Sequence, residues 1–299
     1  MNAGPRASAI IPTLDGAATL PALLEALARE ATRVPLEIVA IDSGSRDGTV
    51  ELLRGAGATV LDLGGRPFGH ASARNRAAAS ARGAVLLFLT QDVEPVGEHW
   101  LTPLLDALEE PGSAGAFGRQ VPRGASPEDA FLVRTNYGDE PRRLAAAAAE
   151  GPFGPGATFF STAFGAMPRA VWERFPFPEI VMSEDQAWAR AVLRAGLTIR
   201  YVPEAAVYHG HRLSFARAFR RNFDSGSSLQ QLGLTGGVWG AGLAHLVREL
   251  RWIRKEHGAR AVPHALLYET VRMVGFQCGR LEPWLPRAIA RVLGEAPRA

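Results

Sequence analysis

The sequence predicts an α/β fold built on a parallel sheet with helices on both faces. Two observations carry this. Short, continuously apolar runs alternate with helix-period segments through the first ninety or so residues, the signature of strands buried on both sides. Each apolar run then ends on polar or acidic residues, at the carboxyl edge where open α/β sheets bind their ligands.

Taken in order, Ala9-Ile10-Ile11 reads as a first strand, stopped by Pro12. Leu20, Leu23, Leu24 and Leu27 recur at three- and four-residue steps and predict a helix. Glu37 to Ile41 is a second strand, closing at Asp42-Ser43-Gly44, and Asp47 is placed to cap a helix through Val50, Leu52 and Leu53. Thr59 to Leu63 is a third strand, and the Ala- and Arg-rich stretch from His70 to Arg82 is helical. Val85 to Leu89 is the most apolar run of this half and predicts a central strand, ending at Thr90-Gln91-Asp92. The stretch from Pro111 to Pro127, rich in Gly and Pro, reads as loose. The Ala run from Leu144 to Glu150 predicts a helix, Gly151 to Gly156 a loop, and Phe159 to Phe164 a strand. Ser183 starts a helix through Trp188, Val192 and Leu193 that Gly196 stops. Ile199 to Val202 and Ala205 to Tyr208 are two short strands, and from Phe215 onward the pattern is helical and basic.

Composition excludes several classes. Of 299 residues 47% are apolar and 21% charged, so a core can form and neither a disordered chain nor a fibre fits. A single cysteine, Cys278, allows no internal disulfide and points to a reducing cytosol. No signal-like segment opens the chain, and no run of about 18 apolar residues predicts a membrane-spanning helix. Charge is lopsided: residues 1–186 hold 16 basic and 23 acidic residues, net −7, whereas residues 187–299 hold 17 and 7, net +10. A basic second half fits phosphates, nucleic acid or an anionic membrane face. No nucleic-acid motif and no interleaved aromatics accompany it, which disfavours a nucleic-acid binder.

The strand-end residues each allow two readings. Asp42 is either a ligand for a pyrimidine imide N–H or the acid of a capped turn. Asp92 either holds Mg2+ or Mn2+ against a diphosphate or is an ordinary strand-end acid. Ser183-Glu184-Asp185-Gln186 is a capping-box pattern, and it equally offers a general base; consecutive helical positions point about 100° apart, so one acid can face a substrate while the other serves structure. His209 and His211 alternate onto one face as a candidate metal or phosphate site. Arg217, Arg220 and Arg221 share one side of a helix, either as a phosphate cluster or as a solvated face, and Arg74 either reaches a phosphate or makes an ion pair.

In order along the chain, these pieces resemble the family 2 inverting glycosyltransferases of GT-A fold, and more narrowly bacterial rhamnosyltransferases. The resemblance runs from Ile11-Pro12-Thr13-Leu14-Asp15 through Ile41-Asp42-Ser43-Gly44-Ser45 and Ala73-Arg74-Asn75 to Leu89-Thr90-Gln91-Asp92. It continues through Ser183-Glu184-Asp185-Gln186, His209 with His211, and Phe223-Asp224-Ser225-Gly226. It implies a mixed sheet flanked by helices over residues 1–212, with a basic helical region over 213–299. It implies a nucleoside held by Thr13, Asp15 and Asp42, with Pro12, Ser43, Gln91 and Arg220 completing the donor site. Asp92 and His209 would hold Mg2+ or Mn2+ beside the diphosphate, assisted by Arg74, and Asp185 would act as the base at near its ordinary pKa. The implied reaction is inverting transfer of L-rhamnose from dTDP-L-rhamnose to a glycan or lipid-linked acceptor at the cytoplasmic membrane face. Two departures stand out: Thr90 replaces the first Asp of the family's metal motif, and position 15 is Asp where relatives often carry Asn. A nucleotide-binding module without catalysis, or a transferase using a UDP-sugar, are the competing readings.

Overall fold

The computed structural model describes residues 5–31, 33–64, 68–150, 159–233 and 238–296. The chain starts with strand β1 (Ala7–Thr13), helix α1 (Leu20–Ala31), β2 (Leu36–Asp42), α2 (Thr49–Gly55), β3 (Thr59–Asp62), α3 (His70–Ser80) and β4 (Val85–Leu89). A two-residue strand β5 (Glu94–Pro95), α4 (Thr102–Asp106), β6 (Ser113–Val121), α5 (Pro127–Asn136) and β7 (Arg142–Leu144) follow. Then come β8 (Phe164–Pro168), α6 (Arg169–Arg174), α7 (Glu184–Arg194) and β9 (Thr198–Tyr208). Four helices end the chain: α8 (Phe215–Gln231), α9 (Val238–His257), α10 (Val262–Arg280) and α11 (Arg287–Leu293).

These elements form two compact units. The first takes residues up to Val121, Tyr137–Glu179 and Glu184–His209; the second takes Pro122–Asn136, Ile180–Ser183 and the chain from Gly210 on. The first unit holds one sheet in the order β3-β2-β1-β4-β8-β6-β9-β5, with β7 on β9. The β3-β2-β1-β4 part is parallel, as the apolar runs predict, and β8 is antiparallel to both β4 and β6. The mixed sheet therefore follows the resemblance rather than the purely parallel pattern read from periodicity. Ile11, Leu20, Leu23, Leu27, Leu87 and Phe164 meet in its core.

Four local expectations change. The stretch read as loose contains β6, buried along most of its length. Its composition hid it: a side chain at Gly118 would strike the Phe164 ring, and one at Gly115 would lie 2.9 Å from Trp188. Small residues are required there because neighbouring aromatics already fill the space. The strand expected at Phe159–Phe164 instead begins at Phe164. The Ala run forms only a short 3-10 turn over Ala146–Glu150, with Leu144 in β7. The two short strands after Gly196 are one strand, β9, whose pairing with β6 shifts register opposite the Gly118/Arg119 step, so Pro203 lies in an irregularity that tolerates it. The Gly151–Gly156 loop lies outside the described residues.

In the second unit, α8 and α10 pack through glycines. A Cβ at Gly279 would collide with the Phe223 carbonyl, one at Gly226 with the Phe276 carbonyl, and one at Gly275 with the Phe219 carbonyl. Helix backbones this close leave no room for larger residues on the shared face.

Candidate active site

The parallel register of β1 and β2 sets Thr13 beside Asp42 at the carboxyl edge of the sheet. The loops beyond are cross-linked: the Asp15 N–H donates to Ser45 Oγ (2.8 Å), the Arg46 N–H to Asp15 Oδ1 (2.9 Å), and the Ala17 N–H to Asp47 Oδ2 (2.9 Å). Asp15 adopts φ of +46°, a left-handed conformation that Asp and Asn tolerate better than most residues. Asp42 accepts from Thr13 Oγ1 (3.1 Å), Ser45 Oγ (2.5 Å) and the Gly44 and Ser45 N–H groups (2.8 Å each). Burial pushes its carboxyl upward, but the Ser45 hydroxyl and the loop amides outweigh this and hold it below the ordinary value. Four donors match the capacity of one carboxylate, so Asp42 acts here as the acid of a capped turn. Pro12 and Ser43 flank this pair, and the Ser43 N–H donates to the Thr13 carbonyl.

Gln91 does not face outward as a donor-binding amide. Its Oε1 accepts from the Leu14 N–H and its Nε2 donates to the Leu14 carbonyl, both at 2.9 Å, like an added strand partner. A side chain at Gly16 would lie 2.6 Å from that amide, so Gly16 is the space Gln91 occupies. Gln91 clamps the β1 loop.

Asp92 follows β4, and the short strand β5 pairs antiparallel with the end of β9, Glu94 opposite Tyr208. This pairing brings His209 to the turn, with His209 Nε2 3.6 Å from Asp92 Oδ1. On the other side of the ring, His209 Nδ1 lies 2.7 Å from Gln120 Oε1. The Gln120 Nε2 donates to Tyr137 (2.5 Å) and Ser161 (2.9 Å), with Oε1 turned to His209. With Oε1 toward the ring, Nδ1 is the donor nitrogen and Nε2 lies on the Asp92 side. A carboxylate oxygen and an oriented imidazole nitrogen suit a divalent cation such as Mn2+. Thr90, where the family's first acid would stand, has a buried hydroxyl and supplies no second carboxylate.

Asp185 opens α7. Its Oδ1 accepts from the Gln186 N–H (2.8 Å), and the Thr162 N–H points at Oδ2 from 3.4 Å. Burial, then the neighbouring Glu184, raise its carboxyl to about 7, while Arg74 and the two amides pull downward. This corrects the expectation of a base at its ordinary pKa. Glu184 is the structural partner: its carboxylate meets Arg74 Nη1 at 2.6 Å, with both side chains 5% exposed. Arg74 is thus committed to an ion pair rather than turned toward a phosphate. The capping box does not form, because Ser183 has φ of +66° instead of an extended capping conformation, and Gln186 Nε2 donates to the Phe160 carbonyl.

One segment ties these groups together. The Ser161 hydroxyl takes the Gln120 bond, the Thr162 N–H faces Asp185, and the Ala163 carbonyl accepts from the Thr90 N–H (3.2 Å). Sequence reading missed Gln120, Ser161 and Thr162. They sit in Gly- and Phe-rich stretches that carry no acid or histidine to mark them.

In the second unit, the Phe223-Asp224-Ser225-Gly226 motif is structural. Asp224 is fully buried and its Oδ2 accepts from the Glu295 and Ala296 N–H groups (2.9 and 2.8 Å), pinning the end of the chain. Arg217 pairs with Glu295 at 2.9 Å. Arg220 and Arg221 are exposed on α8. The His211 N–H donates to Asp129.

The mixed sheet, parallel through β3-β2-β1-β4 and carrying Asp42 and Asp92 at its carboxyl edge, is of GT-A architecture. Residues 8–174 match the model of glycosyl transferase family 2, and the chain belongs to that family. It is a glycosyltransferase. It is 30% identical to the O-antigen chain rhamnosyltransferase RfbN of Salmonella typhimurium, over 94% of this chain and 92% of that protein. It is 29% identical to the O-antigen chain rhamnosyltransferase WbaN of Salmonella anatum, over 87% and 84%. Among solved structures, the mannosyltransferase PcManGT of Pyrobaculum calidifontis, in complex with GDP-Man and Mn2+, aligns with a TM-score of 0.55 at 19% identity, covering 99% of this chain and 78% of that one. S. aureus TarS 1-349 aligns with a TM-score of 0.54 at 16% identity, covering 93% and 91%. These structures share the fold.

Proposed function

We propose that this glycosyltransferase moves L-rhamnose from dTDP-L-rhamnose, with inversion, to a hydroxyl of a glycan or lipid-linked glycan during cell-surface polysaccharide synthesis. The observation that supports the reaction is the Ser161–Ala163 segment, whose Ser161 hydroxyl meets Gln120, the partner of His209, and whose Thr162 N–H faces Asp185. The donor sugar and the pathway are supported by likeness to the two Salmonella rhamnosyltransferases.

In this reading the nucleoside lies on the Thr13, Asp15 and Ser43 edge, with Asp42 and Gln91 shaping the loops beneath it. Asp92 and His209 would hold Mn2+ or Mg2+, which would offset the negative charge gathering on the departing diphosphate. His211, two residues beyond His209, is the next candidate ligand by chain proximity. Asp185 takes the proton of the acceptor hydroxyl as its oxygen bonds to the anomeric carbon, and the bond from that carbon to the diphosphate breaks on the opposite face. A carboxyl near 7 suits this role, because a base is most effective when its pKa approaches the working pH. Arg220 and Arg221 are candidate phosphate contacts on resemblance. A lipid-linked acceptor would place the protein at the inner membrane face.

The test is transfer from dTDP-L-rhamnose, compared with UDP- and GDP-sugars, with the anomeric configuration of the product read by NMR. Metal-dependent transfer of rhamnose with inversion supports the reading. Preference for a UDP-sugar would discard the donor, and binding of nucleotide with no turnover would discard catalysis.

A further inference from the structure

Helix α10 is turned inside out for a helix of a water-soluble surface. Its inward face carries Ala265, Tyr268, Gly275 and Gly279, and the two glycines let it approach α8. Its large apolar residues point away: Leu266, Leu267, Met273 and Val274 are all about half exposed, and Leu281 and Trp284 continue the line, Trp284 at 70%. At 3.6 residues per turn, Leu266 through Leu281 fall within an arc of about 120°. The other positions in that arc, Pro263, Thr270 and Gln277, are uncharged. Beyond Trp284, α11 repeats the pattern, with Ile289 and Val292 exposed and Arg287 and Arg291 exposed beside them.

We infer that the α10–α11 face is a membrane-docking surface that seats in the interface of an anionic bilayer. The inference deepens the proposed membrane-face acceptor and rests on it. An apolar stripe bordered by arginines and ending in a highly exposed Trp is the composition of an interfacial anchor. Charge decides against a second copy of the chain: residues 213–299 hold 13 basic and 6 acidic residues, so two such faces would repel while anionic headgroups would attract. Arg248, Arg251, Arg254 and Lys255 of α9 are exposed and add to that field. No helix among the described residues is long and apolar enough to cross a membrane, so the mode is seating in the interface.

The experiment is flotation of the full chain with phosphatidylglycerol-containing vesicles and with phosphatidylcholine vesicles, beside transfer to a soluble acceptor. The wild type should float with the anionic vesicles, more weakly as salt rises. The double variant Leu267→Glu, Val274→Glu should bind at least about tenfold less, since two half-buried aliphatic contacts are replaced by charges. Brominated acyl chains should quench fluorescence in the wild type and markedly less in Trp284→Phe. Transfer to a soluble acceptor should survive in both variants, so loss of docking and loss of the proposed chemistry are read separately. The inference is overturned if the wild type does not float, if the double variant floats as well as the wild type, or if the double variant instead dissolves a dimer in vesicle-free solution.

Discussion

At the residue scale, the proposed base is Asp185, and its burial, followed by its neighbours, sets its charge. With its carboxyl raised to about 7, the proton-bound form dominates below neutrality and cannot accept the acceptor proton. Transfer rate should therefore climb through a single ionisation near pH 7 and level off above it, as a pH–rate profile would show. Glu184→Gln removes the second-largest upward push on Asp185 while Arg74 remains, so the rising limb should move to lower pH. Arg74→Met should instead destabilise the fold by about 3–5 kcal/mol in chemical denaturation, because it leaves Glu184 buried and unpaired. Gln120→Leu should weaken Mn2+ binding about 10–100-fold by titration, since nothing then selects the His209 tautomer. Asp42, Asp92 and Asp185 stand out in the sequence because acids at strand ends and helix starts are conspicuous. The charge state of Asp185 does not, since it depends on burial and on which neighbour Arg74 pairs with. Gln91 is a donor-site candidate on resemblance alone and Arg74 reads as either a phosphate contact or an ion pair; the fold turns them onto Leu14 and Glu184.

At the scale of elements, strands β1, β2 and β4 could be read directly because nothing but continuous apolar side chains suits a strand covered on both faces. Strand β6 could not: its Gly115 and Gly118 are there to admit Trp188 and Phe164, which arrive from distant parts of the chain. Likewise the Ala run after Leu144 has helical propensity, yet β7 pairs its start with β9 and leaves only one 3-10 turn. The α8–α10 contact makes a sharp test. Gly279→Ala must push against the Phe223 carbonyl, a backbone atom that cannot rotate aside, and should cost about 1–3 kcal/mol or more of stability in thermal or chemical unfolding. Ala substitution at the exposed Gly258, whose surroundings are open, tests backbone strain alone, because φ there is +84°.

Across the whole molecule, charge differs between the two units: acids stand at the sheet edge of the first, and basic helices make up much of the second. The second unit also stores a buried acid. Glu249 is fully buried, and burial followed by Glu269 raises its carboxyl to about 8, with Arg272 opposing. The folded chain thus binds this proton more tightly than the unfolded chain does. Its contribution favours folding at acidic pH and is lost as pH rises from the unfolded carboxylate range through about 8. Glu249→Gln should flatten the fall in melting temperature between pH 6 and pH 9, a pH range chosen about that value. The central claim, a glycosyltransferase whose base is Asp185, is tested most directly by single-turnover transfer from dTDP-L-rhamnose in the wild type and Asp185→Asn across pH. The wild type should show the ionisation near 7, with Asp185→Asn slower by about 10²–10⁴ and without that limb. An Asp185→Asn protein that transfers at the wild-type rate with the same pH profile would contradict the account.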